Sequence, residues 1–329
     1  MHMLVNGGVG NTQCALIIHE IVEQGIPLAR PQEFLAECIL PKKFGKVSTA
    51  WLDQARVKEE TLSSFASIML TVIPILACFL TDCVQPHLED GDALLDHISC
   101  FVLLSHIIGL LTMGADDAMQ HMDELHDLII EHHRMFVDLY ESSHCKPKFH
   151  HLLHLVENFR RLKKVISCFV TERKHRATKR AALHIFRHLE STVLAALINE
   201  QCEQVLEGYS LFQKEFLAHP RVVDFFGTQL LRSTEAVLQC GHIHAGDIVC
   251  LKGNGVVARV VMFWQQDLGA DIILQCTLCQ PVEGEHRYRD SQQAHFVSVS
   301  ELIDACIHRY LRNGAIRVVL PFHAKYHRR

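Results

Sequence analysis

One carboxylate, Glu172, stands inside the most basic stretch of the chain, CFVTERKHRATKRAAL over residues 168–183. If a helix begins near Thr171, then Glu172, Arg176 and Lys179 share a face at i, i+4 and i+7, with His175 and Arg180 at its edges. Two kinds of chemistry fit that spacing. A Glu172–Arg176 pair near a helix N-terminus stabilises a surface helix by roughly 0.3–0.5 kcal/mol. A carboxylate flanked by cations can also hold a divalent ion while its neighbours grip phosphates. Charge spacing alone is the ordinary mark of the first and does not exclude the second. A further candidate lies upstream in CKPKFHHLLH, where His150 and His154 stand at i, i+4 with Cys145 before them. Two such imidazoles and a thiolate are Zn²⁺ ligands, whereas two histidines alone serve equally as buried or capping groups. The pair Cys276 and Cys279 in CTLC could serve a redox or zinc role, but it sits in a strand pattern, where residues three apart face opposite sides, which counts against joint ligation. The glycine run NGGVGN has no strand before it and no Lys-Ser/Thr after it, which leaves it a poor phosphate loop.

Composition sets the class of chain that must position these groups. With 329 residues, 49% hydrophobic and 21% charged, the chain is expected to fold into two or three globular domains. Its 13 cysteines are scattered, and no charged-then-apolar segment opens it. Reduced thiols and an intracellular rather than secreted setting are therefore expected. Two stretches without charge, Thr61–Thr81 and His97–Ala115, are long enough to span a membrane. Ser63, Ser64, Ser67, Thr71 and Pro74 interrupt the first, and His97, Ser99, Ser105 and His106 the second. Such interruptions suit helices buried in protein, and no membrane partner is expected. The net charge of −5 conceals a reversal along the chain: residues 115–141 hold eight acids and one Arg, whereas 160–187 hold ten Lys or Arg and one acid, Glu172.

The elements follow from periodicity. A first helix is expected to be capped by Asn11 or Thr12 and stopped by Gly25 and Pro27, with a second over Pro31–Leu40. The two uncharged windows read as core helices, and 116–142 as an amphipathic one through Leu125, Leu128, Ile129, Phe136 and Leu139. A long helix is expected over 172–207, with Ile185, Leu189, Val193 and Leu197 as its buried stripe. From Gly241 the pattern changes to β-rich runs such as GDIVCL, VVARVVMFW and DIILQCTLCQ, separated by Gly, Asp and Asn turns. One short helix is expected at 300–311. The expectation is a mainly α region over 1–240, a small β domain over 241–322 of SH3-like or Tudor-like barrel type, and a basic tail, 323–329. Trp264, Phe263 and Tyr288 would either fill its core or line a groove for a peptide or nucleic acid.

Three pieces in this order carry a resemblance. MHMLVNGGV at the start resembles the second half of a D-x-M-H…G-V element of CACTA-type (En/Spm-like) DDE transposases and their domesticated relatives. KPKFHHLLHLVENFRRLKKVISCFVTERKHRATKR is similar to their P-K-x-H-x-L-x-H…F-E-x-K-H-x-x-x-K element. The uncharged helical middle resembles the helical insertion between the two. The resemblance covers roughly residues 1–205. It implies an RNase H-like fold interrupted by helices, in which Asp, Asp and Glu bind two Mg²⁺ for DNA strand cleavage and transfer. Glu172 would be the metal-binding Glu, with Lys174, His175 and Lys179 beside it and His2 following the second Asp. That Asp is expected two positions before Met1, so this chain by itself is not expected to cleave DNA. DNA contacts would come from Arg160, Arg161, Lys163, Lys164, Arg173, Lys174, His175, Arg176, Lys179 and Arg180, and a nuclear or otherwise intracellular address follows from the resemblance. The alternative is a non-catalytic interaction protein whose β domain binds a protein partner.

Overall fold

A computed structural model describes residues 8–44, 66–112, 115–163 and most of 215–320, with a few isolated positions between. Among these lie eight α-helices followed by twelve strands, a helical region and a β-rich region in that order. Helix α1 (Val9–Glu23) is central: Cys14, Ala15, Ile17, Ile18 and Ile21 are buried, and so are the polar Asn11, Thr12 and Gln13. Asn11 and Thr12 therefore lie inside the first turn rather than capping it; Thr12 donates to the carbonyl of Gly8 at 3.1 Å. The C-terminal expectation holds in detail. Gly25 takes φ +80°, and the Gly25→Val22 and Ile26→Ile21 N–H···O bonds, both 2.9 Å, close the left-handed turn that glycine permits.

Helix α2 (Ala29–Glu37) and helix α3 (Ala66–Phe79) pack on one another, with Phe34 edge-on to Phe79 at 5.5 Å between ring centroids. Pro74 sits inside α3, and one π-turn, Leu80–Val84, carries that helix on to its end. Helix α4 (Ala93–Thr112) packs against α1, α3 and α6 (Met122–Tyr140), with the short α5 (Ala115–Gln120) leading into α6. The segments Ile68–His87 and Ala93–Thr112 are each long and apolar enough to cross a membrane, and 67% and 61% of them are buried among their neighbours. Of the stripe its periodicity predicts, helix α6 buries Leu125, Ile129 and Phe136 and half-buries Leu128 and Leu139; His132 joins the buried face. Helices α7 (Pro147–Leu153) and α8 (Leu155–Leu162) close the body by burying Phe149, Leu152, Leu155, Val156 and Phe159. Burying side chains of this size stabilises by roughly 1.5–3 kcal/mol each.

Strand structure begins at Phe216, ahead of the expected boundary at 241. β1 (Phe216–Ala218), β4 (Glu235–Leu238) and β5 (Gly241–His244) form a three-stranded sheet in the order β1-β4-β5. A nine-stranded antiparallel sheet runs in the order β10 (Leu302–Ala305), β6 (Ile248–Leu251), β7 (Val256–Gln265), β8 (Ile273–Pro281), β9 (Arg287–Ser298), β12 (Ile316–Leu320) and β11 (Ile307–Tyr310), with the hairpin β2 (Arg221–Phe225) and β3 (Thr228–Ser233) attached to β7. Its long strands are β7 (Val256–Gln265), β8 (Ile273–Pro281) and β9 (Arg287–Ser298). The early strands are hard to read because β2 and β3 alternate weakly, with Val222 63% exposed. Their pairing comes instead from Leu231, Arg232 and Ser233 lying opposite Gln265, Trp264 and Phe263.

The helix expected over 300–311 is absent. A single 3-10 turn, Val299–Glu301, leads into β10 (Leu302–Ala305) and β11 (Ile307–Tyr310). Ladder pairing of β10 with β6 (Ile248–Leu251) and of β11 with β12 (Ile316–Leu320) outweighs local preference. All four residues of β6 are buried, Val249 and Leu251 in one core, Ile248 and Cys250 in the other. Period-2 alternation divides the cysteines in the same way: Cys276 lies in the first core and Cys279 in the second, so CTLC has no shared site.

The two regions are joined. Ile39 and His308 form an antiparallel bridge (N–H···O 2.7 and 3.3 Å), and Ile307 and Val319 enter the helical core. Arg317 grips Asp82 with two bonds, Nε–Oδ2 2.7 Å and a second guanidinium nitrogen to Oδ1 3.2 Å. The two side chains are only 7% and 16% exposed.

Candidate functional site

Of the residues that the sequence singles out, Glu172, Lys164, Arg173, Lys174, His175, Arg176, Lys179, Arg180 and His2 lie outside the described residues. Arg160 and Arg161 occupy the last turn of α8, where cations meet the negative end of the helix dipole. Arg160 is paired with Asp123 of the acidic block, at the exposed surface. Arg161 donates to Asn158 at 3.0 Å, and Lys163 ends the helix at φ +55°. His150 and His154 are brought together, Nε2 to Nε2 at 3.2 Å, both exposed. Cys145 does not join them in a group with ligand atoms within 4.8 Å of one another. The zinc trio is thus reduced to a histidine pair, because the 3-10 turn at Ser142–His144 and Pro147 place Cys145 before the helix begins.

The described residues contain one group of three ligating side chains within 4.8 Å, and it lies elsewhere: Glu235, His242 and His244. The hairpin β4–β5 creates it. Glu235 stands opposite His244 and Val237 opposite His242, so all four point from one face, while Ala236, Leu238 and Ile243 are buried on the other. Gly241 at φ +120° accommodates the turn into β5. Asp247 fixes the far end, accepting from the His244 N–H at 2.8 Å while its own N–H donates to the His244 carbonyl at 3.1 Å.

Nε2 of His242 lies against Oε1 of Glu235, and Nε2 of His244 is 3.7 Å from the same oxygen. The imidazole rings are 4.8 Å apart at their centroids. The His242, His244 and Glu235 side chains are 25%, 36% and 21% exposed, which leaves one side of the group open to solvent. Lys42, from the 3-10 turn Lys42–Phe44 of the helical region, reaches across: its Nζ is 2.8 Å from His242 Nδ1 and 3.6 Å from Glu235 Oε1. Desolvation works to raise the Glu235 pKa, yet His244, His242, Lys42 and His219 outweigh it and hold the carboxyl below its ordinary range. The sequence signal for this site is the H-x-H of GHIH, two imidazoles on one face of a strand. The carboxylate across the hairpin is invisible until the register is known.

Other polar groups are differently placed. His132 is fully buried; its Nε2–H donates to Gln13 Oε1 at 2.7 Å, and Gln13 Nε2 donates to Cys100 Sγ at 3.1 Å. Burial pushes the His132 pKa down to about 3, helped by His133, so the ring is neutral. The twelve described cysteines are free thiols, and burial raises those of Cys276 and Cys279 to about 11 and about 12. Thiols held so far from ionisation are poor nucleophiles and poor ligands. Phe263 and Tyr288 are buried in the strand cores, which leaves Trp264, half-buried and donating to Gln275 at 2.9 Å. A cleft of 490 Å³ opens where α2 meets β11, but Arg309 in its wall is already paired with Glu37 at 2.6 Å and stacked over Phe34.

No family model and no curated protein matches this chain.

Proposed function

We propose that the chain is a transposon-derived, DNA-associated protein of the kind its two motif-bearing stretches resemble, the CACTA-type DDE transposases. On this reading the helical region is a remnant of an RNase H-like fold with a helical insertion. The β-rich region is an SH3- or Tudor-like barrel that offers a surface to a protein partner, and the working site is nuclear. The observation that supports DNA contact is the end of α8. Leu155, Val156 and Phe159 bury one face, while Arg160, Arg161 and Lys163 are exposed where the ten-cation block begins. Phosphate recognition needs such cations held off a packed body. Glu172 would bind Mg²⁺ if strand cleavage occurs in combination with further carboxylates; the proposal for the chain as it stands is binding, not cleavage.

Binding to duplex DNA as a function of salt tests this. Affinity is expected to fall with a log–log slope of about −0.9 per phosphate neutralised, and Arg161→Ala with Lys163→Ala should make the slope shallower. Binding that ignores salt, or none at low salt, removes the reading. The ion pair between Arg160 and Asp123 favours a second one, in which the basic and acidic blocks meet and the protein is a non-catalytic scaffold. Salt-insensitive, DNA-free behaviour would turn the argument that way.

A further inference from the structure

We propose that the β4–β5 hairpin is a binding site for a divalent transition ion of the Zn²⁺ class, held by the Glu235 carboxylate and the Nε2 atoms of His242 and His244. The inference does not rest on DNA association. The donor set is two imidazole nitrogens and one carboxylate oxygen, a combination that suits Zn²⁺, Co²⁺ or Ni²⁺. Mg²⁺ and Ca²⁺ prefer shells made of oxygen, so this site is distinct from the Mg²⁺ chemistry that Glu172 would serve.

The geometry is close to what such an ion requires. Bonds of about 2.0–2.1 Å in a tetrahedral shell place neighbouring ligand atoms roughly 3.3 Å apart. Here the His244–Glu235 separation is 3.7 Å, His242 Nε2 is in direct contact with Glu235 and would have to draw apart from it, and one ligand atom of each residue lies within 4.8 Å of the others. Small side-chain rotations on a fixed hairpin bridge the difference. With Nδ1 of His242 accepting from Lys42, the ring proton sits on Nε2 and faces Oε1 of Glu235, the place an ion would take between ring and carboxylate. Three protein ligands with an open, solvent-facing side leave a fourth position for water, the arrangement of sites that bind an exchangeable ligand.

Lys42 gives the proposal its sharpest test. A metal-bound imidazole uses its second nitrogen as a donor. The second nitrogen of His242 instead faces the Lys42 ammonium at 2.8 Å, itself a donor. Ion and ammonium are therefore alternatives at this ring. The lysine side chain is 60% exposed and can leave for solvent. Binding of the ion requires that departure, so removing the lysine should favour the ion.

The experiment is a titration of the purified full chain with Co²⁺, followed by visible absorption, and with Zn²⁺ by calorimetry. One ion per chain is expected at this site, with the absorption of low-coordinate cobalt. Glu235→Gln, or His242→Asn with His244→Asn, should weaken binding by more than the roughly 10–100-fold that outer-sphere changes cost, with circular dichroism unchanged. Lys42→Ala should tighten it, an outcome that loss of fold cannot mimic. His150→Ala with His154→Ala should leave the cobalt spectrum as it is. Equal affinity in the hairpin variants overturns the proposal. So does a signal that disappears with His150 and His154, or no tightening in Lys42→Ala.

Discussion

Histidine is put to two different uses in this chain. In the helical region His132 is fully buried between α1 and α4, its Nε2–H given to Gln13 and its pKa pushed down to about 3. On the β4–β5 hairpin His242 and His244 are half-buried beside a carboxylate and open on one side. The residue type is the same; what differs is whether solvent and a charged partner reach the ring. A histidine sealed among apolar helices has a packing role, because ionising it there would cost more than the fold returns. A histidine on a solvent-facing strand, with Glu235 across the ladder, has a carboxylate and solvent within reach of its ring nitrogens. The comparison extends to acids: Asp82 is enclosed with Arg317 where the two regions meet, whereas Asp123 meets Arg160 in the open.

The largest way to break this contrast is Asp82→Ala. It leaves the Arg317 guanidinium enclosed without its carboxylate, so a loss of about 3–5 kcal/mol in denaturant unfolding is expected. A loss below about 1 kcal/mol would mean that water reaches this pair and that interior and surface are not distinct here. The pH dependence of His132 comes next. Its folded pKa of about 3 lies below the value of about 6.5 for an unfolded histidine. Between these values the unfolded chain binds the extra proton, so stability is complete above about pH 6.5 and declines as pH falls toward 3. The slope from this group is at most about 1.4 kcal/mol per pH unit. In His132→Gln the change in unfolding midpoint between pH 7 and pH 5 should be smaller than in the unaltered chain; an equal change would place the acid sensitivity in other groups. Smallest is Asp123→Ala, which removes an ion pair whose side chains are 49% and 96% exposed. A change within about 1 kcal/mol is expected, screened further by salt.

How far the molecule was legible follows from the range of each signal. The helices over 9–23, 66–79 and 93–112 appear where apolar periodicity places them, because i, i+4 spacing and the Gly25 stop are local. The long strands β7 and β8 are visible as β-branched runs between turn residues. The region 300–311 fails for the opposite reason. Its apolar spacing fits a helix, but neighbours at 248–251 and 316–320 turn it into two ladder strands. Among site residues, the helical spacing brings His150 and His154 together as read, while Cys145 stays out of ligand range. Glu235 was invisible as a partner, since nothing marks it until the hairpin register sets it opposite His244.

The amino-acid order alone therefore determined the helical-then-strand succession, the reversal of charge from 115–141 to 160–187, and the two close histidine pairs at i, i+4 and i, i+2. Those features depend on neighbours a few residues apart, and short-range sterics and hydrophobic patterning are enough to specify them. Only the tertiary structure decided that Lys42 faces His242, that Arg317 closes on Asp82 across 235 positions, and that His132 is sealed while His242 is not. Such pairings are settled by packing and strand register, which bring together groups that no spacing along the chain connects.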